Sequence, residues 1–157
     1  MFLYNIFPPE FIKIGLEAED KEEVFEEMVD LLCQNRKNVD RREILDVIRK
    51  REYKMSTGIY TGIAIPHGKS TTIDAIHGIL GISRKGIDYD ALDGKPVYLV
   101  FMLLAPLVDS EEHLRFLKRL ALLVENPDFY SDIIAQKNPR DVNGILKKYE
   151  DIYIASE

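Results

Sequence analysis

Apolar residues return at helical spacing between Val24 and Leu32, where Val24, Phe25, Met28, Leu31 and Leu32 share one face. Asp20 and, three residues on, Glu23 give that helix a capping-box-like start. Asp40 and Glu43 repeat the signal ahead of Ile44, Leu45 and Ile48, and this second helix runs out near Tyr53, before the turn residues Ser56, Thr57 and Gly58. A third helix, over 110–125, is expected to start from a cap at Asp109 and to carry Leu114, Leu117, Ala121 and Val124 on one face. Asn126-Pro127 and Asn138-Pro139 each read as an N-cap followed by proline at the first helical position, where a missing N–H costs nothing. Strands are expected at 11–14, 62–65, 77–83 and 97–104, with the turn-rich stretch 88–96 as a connection. The segment 97–104 is long, aromatic and β-branched enough to be central. Strands separated by helices, then a helical tail, predict an α/β sandwich around a mostly buried sheet. It reads as one domain over 1–157, with its core at about 5–150.

Composition changes this picture little. A chain of 157 residues, 46% hydrophobic and 31% charged, is that of a soluble globular protein able to bury a core. No apolar run approaches the roughly 20 residues that span a bilayer, so membrane insertion is not expected. The start, through Phe11, lacks the basic and apolar regions of a secretory signal. A single cysteine, Cys33, rules out an intrachain disulfide, suits a cytoplasmic location, and reads as a packed thiol. The net charge of −6 disfavours nucleic acid and anionic membranes and suits a basic protein partner.

The stretch TGIAIPHG, residues 61–68, departs from ordinary core. A short apolar strand stops at Pro66, and the next side chain is the imidazole of His67, with Gly68 behind it. Working side chains in open α/β folds gather where strands end. Gly62, Gly68 and the turn 56–58 allow the backbone to approach a ligand closely. An imidazole there can be a nucleophile, a general base, a metal ligand, or a strand-end group bonded to a neighbour. The other histidines are His77, read as structural, and His113, in the first turn of the third helix, which is either solvated or aimed at the sheet's end. None of the three has the spacing of a helical metal pair, so no metal is expected. Arg51, at the end of the second helix, either complements the helix dipole in solvent or serves the turn that follows.

The chain resembles the IIA component of the bacterial phosphoenolpyruvate-dependent phosphotransferase system, in its fructose/mannitol/nitrogen-regulatory class. The likeness runs over EAEDKEEVFEEMVDLL, STGIYTGIAIPHGKS, GIDYDALDGKPVYLVFMLLAP and EEHLRFLKRLALL, in order and at the right separations. It implies an α/β sandwich with a mixed sheet flanked by helices, and a phosphotransferase without organic cofactor or metal. His67 would accept a phosphoryl group from the phosphohistidine of an HPr-type carrier, becoming a tele-phosphohistidine, and pass it to a cysteine of a IIB protein or domain during sugar uptake. The alternative is a nitrogen-regulatory protein whose phosphorylation state controls its grip on regulatory partners. Arg51 and His113 would be active-site neighbours of His67, with Ser56, Thr57 and Gly68 as further phosphate-binding candidates. Such a role needs a neutral imidazole with one ring nitrogen free and charge stabilisation around a loose transition state, for which a planar guanidinium is suited. One departure stands out. Where the family often has GIGNG, this chain has GIYTG, so the loop must avoid positive φ at Tyr60 or accept strain.

Overall fold

The computed structural model describes residues 1–108 and 110–155. A short helix α1 (Leu3–Ile6) leads through a 3-10 turn (Pro9–Phe11) into β1 (Ile12–Ile14). Then come α2 (Lys21–Asn35), α3 (Arg41–Lys54), β2 (Ile63–Ala64), β3 (His67–Ser70), β4 (His77–Ile87) and β5 (Val97–Pro106). The chain closes with α4 (Ser110–Val124), α5 (Pro127–Ile134) and α6 (Pro139–Ala155). Most starts follow the sequence signals. The side chains of Asp20 and Asp40 accept from the N–H of Glu23 and Glu43, and Asn126 and Asn138 accept from the N–H of Asp128 and Asp141. The cap expected at Asp109 lies outside the described residues.

The sheet is mixed and five-stranded. It runs β1, β4, β5, with β2 and β3 following each other along the far side of β5. β4 and β5 are antiparallel, and the remaining pairs are parallel. Along β5 successive residues enter opposite cores. Leu99, Phe101, Leu103 and Ala105 join the core under α4, α5 and α6, whereas Val100, Met102 and Leu104 join the core under α2 and α3. The central strand therefore reads as a continuous apolar run, because both its faces are covered. This is an α/β sandwich.

Two expectations need correction. The strand expected over 62–65 does stop before Pro66, but the edge of the sheet does not end with it. Pro66 brings no N–H, and the Ile65 N–H turns away to the Thr57 carbonyl (3.1 Å), so pairing lapses for two residues. It then resumes, with His67 opposite Leu103 as the first residue of β3. One edge strand is thus broken in two, and His67 sits just after the break. The second correction concerns α4. Its core face is His113, Phe116, Leu120, Leu123 and Val124; of the expected face Val124 is buried and Leu117 packs against the core, whereas Leu114 is 54% exposed and Ala121 lies part-buried at the side. The face lies about one position away from the one read from the leucine pattern, since leucines surround the helix and only the aromatic Phe116 marks the inward side.

Candidate functional site

His67 is placed by its own backbone. The lapse in strand pairing at Ile65-Pro66 leaves the Ile65 carbonyl to His67, whose Nδ1 lies 2.8 Å from it. A carbonyl only accepts, so Nδ1 carries the proton and Nε2 keeps its lone pair when the ring is neutral. Burial pushes the imidazole below the ordinary histidine pKa, against the pull of the Ile65 carbonyl. The Arg51 guanidinium reinforces the lowering, and Glu52 opposes it. The ring is therefore neutral near pH 7, with a fixed tautomer.

Two hollows share this ring. The larger, about 400 Å³, opens between α3 and β3 and is lined by Lys50, Arg51, Lys54, Gly68 and Lys69, with His113. The smaller, about 160 Å³, is mostly apolar, with Ile59, Tyr60, Ile65, Leu117 and Ala121, and Arg51 reaches it too. His113 is 6% exposed and its ring centroid lies 5.7 Å from that of His67. The structure thus brings together His67, Arg51 and His113 from an edge strand and the two helices on either side of it. His77 does not join them. It pairs with Leu104 across β5 and packs edge-on against Phe11, on the other face of the sheet.

The remaining candidates sit differently. Gly68 lies in the groove wall, where a Cβ would come 3.2 Å from Val47 of α3, so glycine is what lets helix and strand close up beside His67. Ser56 turns its hydroxyl back onto its own loop, accepting from the Gly58 N–H (3.1 Å). Thr57 is buried and engaged. Its N–H and hydroxyl both donate to Glu52, at 2.9 Å and 2.7 Å, which leaves the Tyr89 hydroxyl to donate to Thr57 Oγ1 (2.8 Å). Arg51 donates to the Met55 carbonyl (2.9 Å), which holds the guanidinium at the end of its helix. Tyr60 meets its constraint without strain. It is not among the residues with positive φ, and Gly62 (φ 75°) takes the turn instead.

Glu52 is the residue that the sequence reading missed. It is 6% exposed, clamps the loop after α3 through Thr57, and pairs with Lys21 of α2 (3.3 Å). A carboxylate in the last turn of a helix opposes the helix dipole, and that local conflict was the available signal. At the other end of α3, the Glu43 carboxylate accepts from the Ser70 hydroxyl and from the Thr71 N–H (2.9 Å). The helix carrying Arg51 is therefore tied at its start to the end of the strand carrying His67, and at its end to the loop whose Thr57 carbonyl accepts from Ile65. Among the described residues no group of three or more His, Cys, Asp or Glu side chains is arranged to hold a metal ion. No helix among them is long and apolar enough to cross a membrane.

An imidazole with one nitrogen tied to a backbone carbonyl, set between a guanidinium and a second imidazole on this sandwich, defines a class. Residues 5–149 match the family described as phosphoenolpyruvate-dependent sugar phosphotransferase system, EIIA 2, and the chain belongs to that family. It is 34% identical over 139 residues to the fructose-specific EIIABC component of Bacillus subtilis, covering 88% of this chain but 22% of that protein's length. It is 31% identical over 150 residues to the nitrogen regulatory protein of Bradyrhizobium diazoefficiens, covering 93% of this chain and 95% of that one. Among solved structures, the nitrogen regulatory protein IIA-Ntr of Neisseria meningitidis superposes with a TM-score of 0.85 at 30% identity, over 92% of this chain and 98% of that one.

Proposed function

We propose that His67 is a phosphoacceptor that takes a phosphoryl group from an HPr-type carrier and gives it to a cysteine of a IIB partner in the cytoplasm. The observation that carries this is the Nδ1–H to Ile65 carbonyl bond, which reserves Nε2 for attack. In the first step the Nε2 lone pair attacks phosphorus in line with the carrier's N–P bond. That bond breaks, and its electron pair returns to the carrier's imidazole. His67 keeps Nδ1–H throughout, so the phosphorylated ring carries a positive charge that the Ile65 carbonyl stabilises. This makes the ring a ready leaving group. In the second step a thiolate attacks phosphorus, the Nε2–P bond breaks, and the neutral ring is restored.

The phosphoryl group is close to doubly negative, and no cofactor is needed because the donor arrives activated. Arg51 supplies a planar fork for its oxygens. His113 acts as a fixed neighbour that donates to the phosphoryl group and does not itself carry it. Its place on the buried face of α4 supports a fixed role. Gly68 contributes backbone at the groove wall. Ser56 serves mainly to shape the turn, and Thr57 acts on the site through Glu52.

For the wider role, the likeness to a fructose-specific component favours sugar uptake through a fructose- or mannitol-type IIB. The near full-length likeness to nitrogen regulatory proteins supports the second reading, in which the phosphorylation state governs binding to regulatory targets. Incubation with Enzyme I, HPr and phosphoenolpyruvate, followed by intact-mass measurement, tests the common core of both. One acid-labile phosphoryl group on the wild type and none on His67→Ala is the expected result. Labelling of His67→Ala at the wild-type rate would refute the assignment. Onward transfer to a fructose-type IIB cysteine then separates the uptake reading from the regulatory one.

A further inference from the structure

A buried carboxylate, that of Glu52, grips a single residue. Thr57 donates its N–H to both oxygens (2.9 and 3.1 Å) and its hydroxyl to one of them (2.7 Å). Lys21 of α2 pairs with the same group (3.3 Å), and Glu22, Arg49 and Asp90 line the hollow outside it. The position is costly, because the acid is buried in the last turn of α3, where the helix dipole opposes an anion. In an open loop, water would satisfy the two donors of Thr57 just as well. What the buried acid adds is a Thr57 that cannot move.

Thr57 in turn places Ile65. The Thr57 carbonyl accepts from the Ile65 N–H (3.1 Å), and the Ile65 carbonyl accepts from His67 Nδ1 (2.8 Å). Three hydrogen bonds in series thus run from the Glu52 carboxylate to the ring. The link is positional. The N–H and the carbonyl of Thr57 belong to different peptide groups, as do those of Ile65, so each residue is held on one side and orients the next. A displaced Thr57 would leave the Ile65 N–H without its acceptor and free Ile65 to rotate, carbonyl included. The far side of the loop has its own anchor, since the Leu92 N–H donates to the Gly58 carbonyl (3.0 Å). Replacing Glu52 therefore loosens the Thr57 end and leaves the loop attached.

We propose that Glu52 is a positioning residue for phosphoryl transfer, fixing the tautomer of His67 through Thr57 and Ile65 without touching the phosphoryl group. This rests on His67 being the phosphoacceptor. A neutral imidazole left to itself exchanges its proton between the two nitrogens, and only the form with Nδ1–H keeps Nε2 ready to attack. The charge of Glu52 has a second effect. Lys50, Arg51, Lys54 and Lys69 line the groove around His67 together with the His113 ring. Burial first and then Arg51 lower the His67 pKa, while the Ile65 carbonyl and Glu52 raise it. Tyr89 stands outside this line, because its hydroxyl reaches Thr57 Oγ1 (2.8 Å) and not the Thr57 backbone.

The test compares wild type, Glu52→Ala, Glu52→Gln and Tyr89→Phe by two readouts. Long-range ¹H–¹⁵N spectra of the unphosphorylated proteins give the His67 tautomer and its titration, and rapid-quench labelling by HPr gives the rate. Wild type should hold the proton on Nδ1. Glu52→Ala should show a mixture of tautomers and accept the phosphoryl group about tenfold or more slowly. Glu52→Gln keeps one accepting oxygen and should fall between the two, with its His67 titration moved to lower pH. Tyr89→Phe should lower the urea midpoint yet leave tautomer and rate as in wild type, which separates positioning from a purely structural clamp. A wild-type tautomer in Glu52→Ala, or a Tyr89→Phe tautomer shifted as far as that of Glu52→Ala, would overturn the proposal. Should Glu52→Ala not fold, an unchanged tautomer and titration in Glu52→Gln would overturn it equally. Failure of HPr to label wild type would remove the phosphoacceptor reading, whereas the tautomer spectra need no phosphate and judge Glu52 separately.

Discussion

His67 and His77 lie on either side of β5, each the first residue of its strand, opposite the adjacent residues Leu103 and Leu104. Burial lowers the pKa of both rings. Their chemistry nonetheless differs. His67 has Nδ1 tied to a carbonyl, faces two hollows, and has Arg51 and His113 beside it. His77 is packed edge-on against Phe11, with ring centroids 4.2 Å apart, and its buried Nε2 meets no hydrogen-bond partner among the described residues. Burial makes an imidazole neutral, but a directed lone pair and an open face make it a nucleophile. Leu103 and Leu104 face opposite cores, so one step in register separates the two situations.

Arg51 offers the strongest way to break this contrast. Replacing it with alanine leaves His67 neutral and buried; if Arg51 has the proposed role as the fork for the phosphoryl oxygens, transfer should slow about 10²–10³-fold. Arg51→Lys keeps the charge without the bidentate geometry and should recover part of the loss. Rapid-quench transfer rates decide this, and equal rates for all three proteins would make His67 sufficient by itself.

The next largest effect belongs to His77 and concerns stability. Its pKa is lowered from 6.5 to about 4, by burial first and then by Arg36, with Asp74 opposing. Between those values the unfolded chain binds the proton and the folded chain does not, so acidification favours unfolding. The stability held above pH 6.5 should fall by roughly 3 kcal/mol as the pH approaches 4. Urea midpoints of wild type and His77→Gln, compared at pH 7 and pH 4.5, isolate this share. The variant should lose less on acidification, and parallel losses would mean that His77 is charged in the folded state.

The smallest effect is expected at His113, which shares a wall with His67 without offering a competing nucleophile. His113→Ala should still take one phosphoryl group on His67 and pass it to a IIB cysteine about tenfold to a hundredfold more slowly, the worth of one hydrogen bond to a charged group. Pulse-labelled wild-type protein with phosphate on His113 would replace the fixed-donor account with a relay.

Much of this was legible along the chain. Caps at Asp20, Asp40, Asn126 and Asn138 are local signals read by their own backbone, and β5 declared itself by an unbroken apolar run. His67 stood out where a short apolar strand runs out, whereas Arg51 and His113 were singled out as its neighbours by the family resemblance, their local positions leaving a solvated role open. Less visible were features set by distant partners. The resumption of pairing at β3 depends on β5, the Glu52 clamp depends on Thr57 and Lys21, and the inward face of α4 depends on the sheet beneath it. The lysines around the groove escaped notice for the same reason, since Lys69 joins Lys50 and Lys54 only when β3 lies against α3.

The most direct test asks which ring nitrogen carries phosphorus. Histidine-selective ¹⁵N labelling, phosphorylation by Enzyme I and HPr with phosphoenolpyruvate, and long-range ¹H–¹⁵N correlation spectra would answer it. The account predicts phosphorus on Nε2 of His67, with Nδ1 still protonated towards the Ile65 carbonyl and the His77 ring unchanged. Phosphorus on Nδ1 of His67, or on either of the other two histidines, would contradict it.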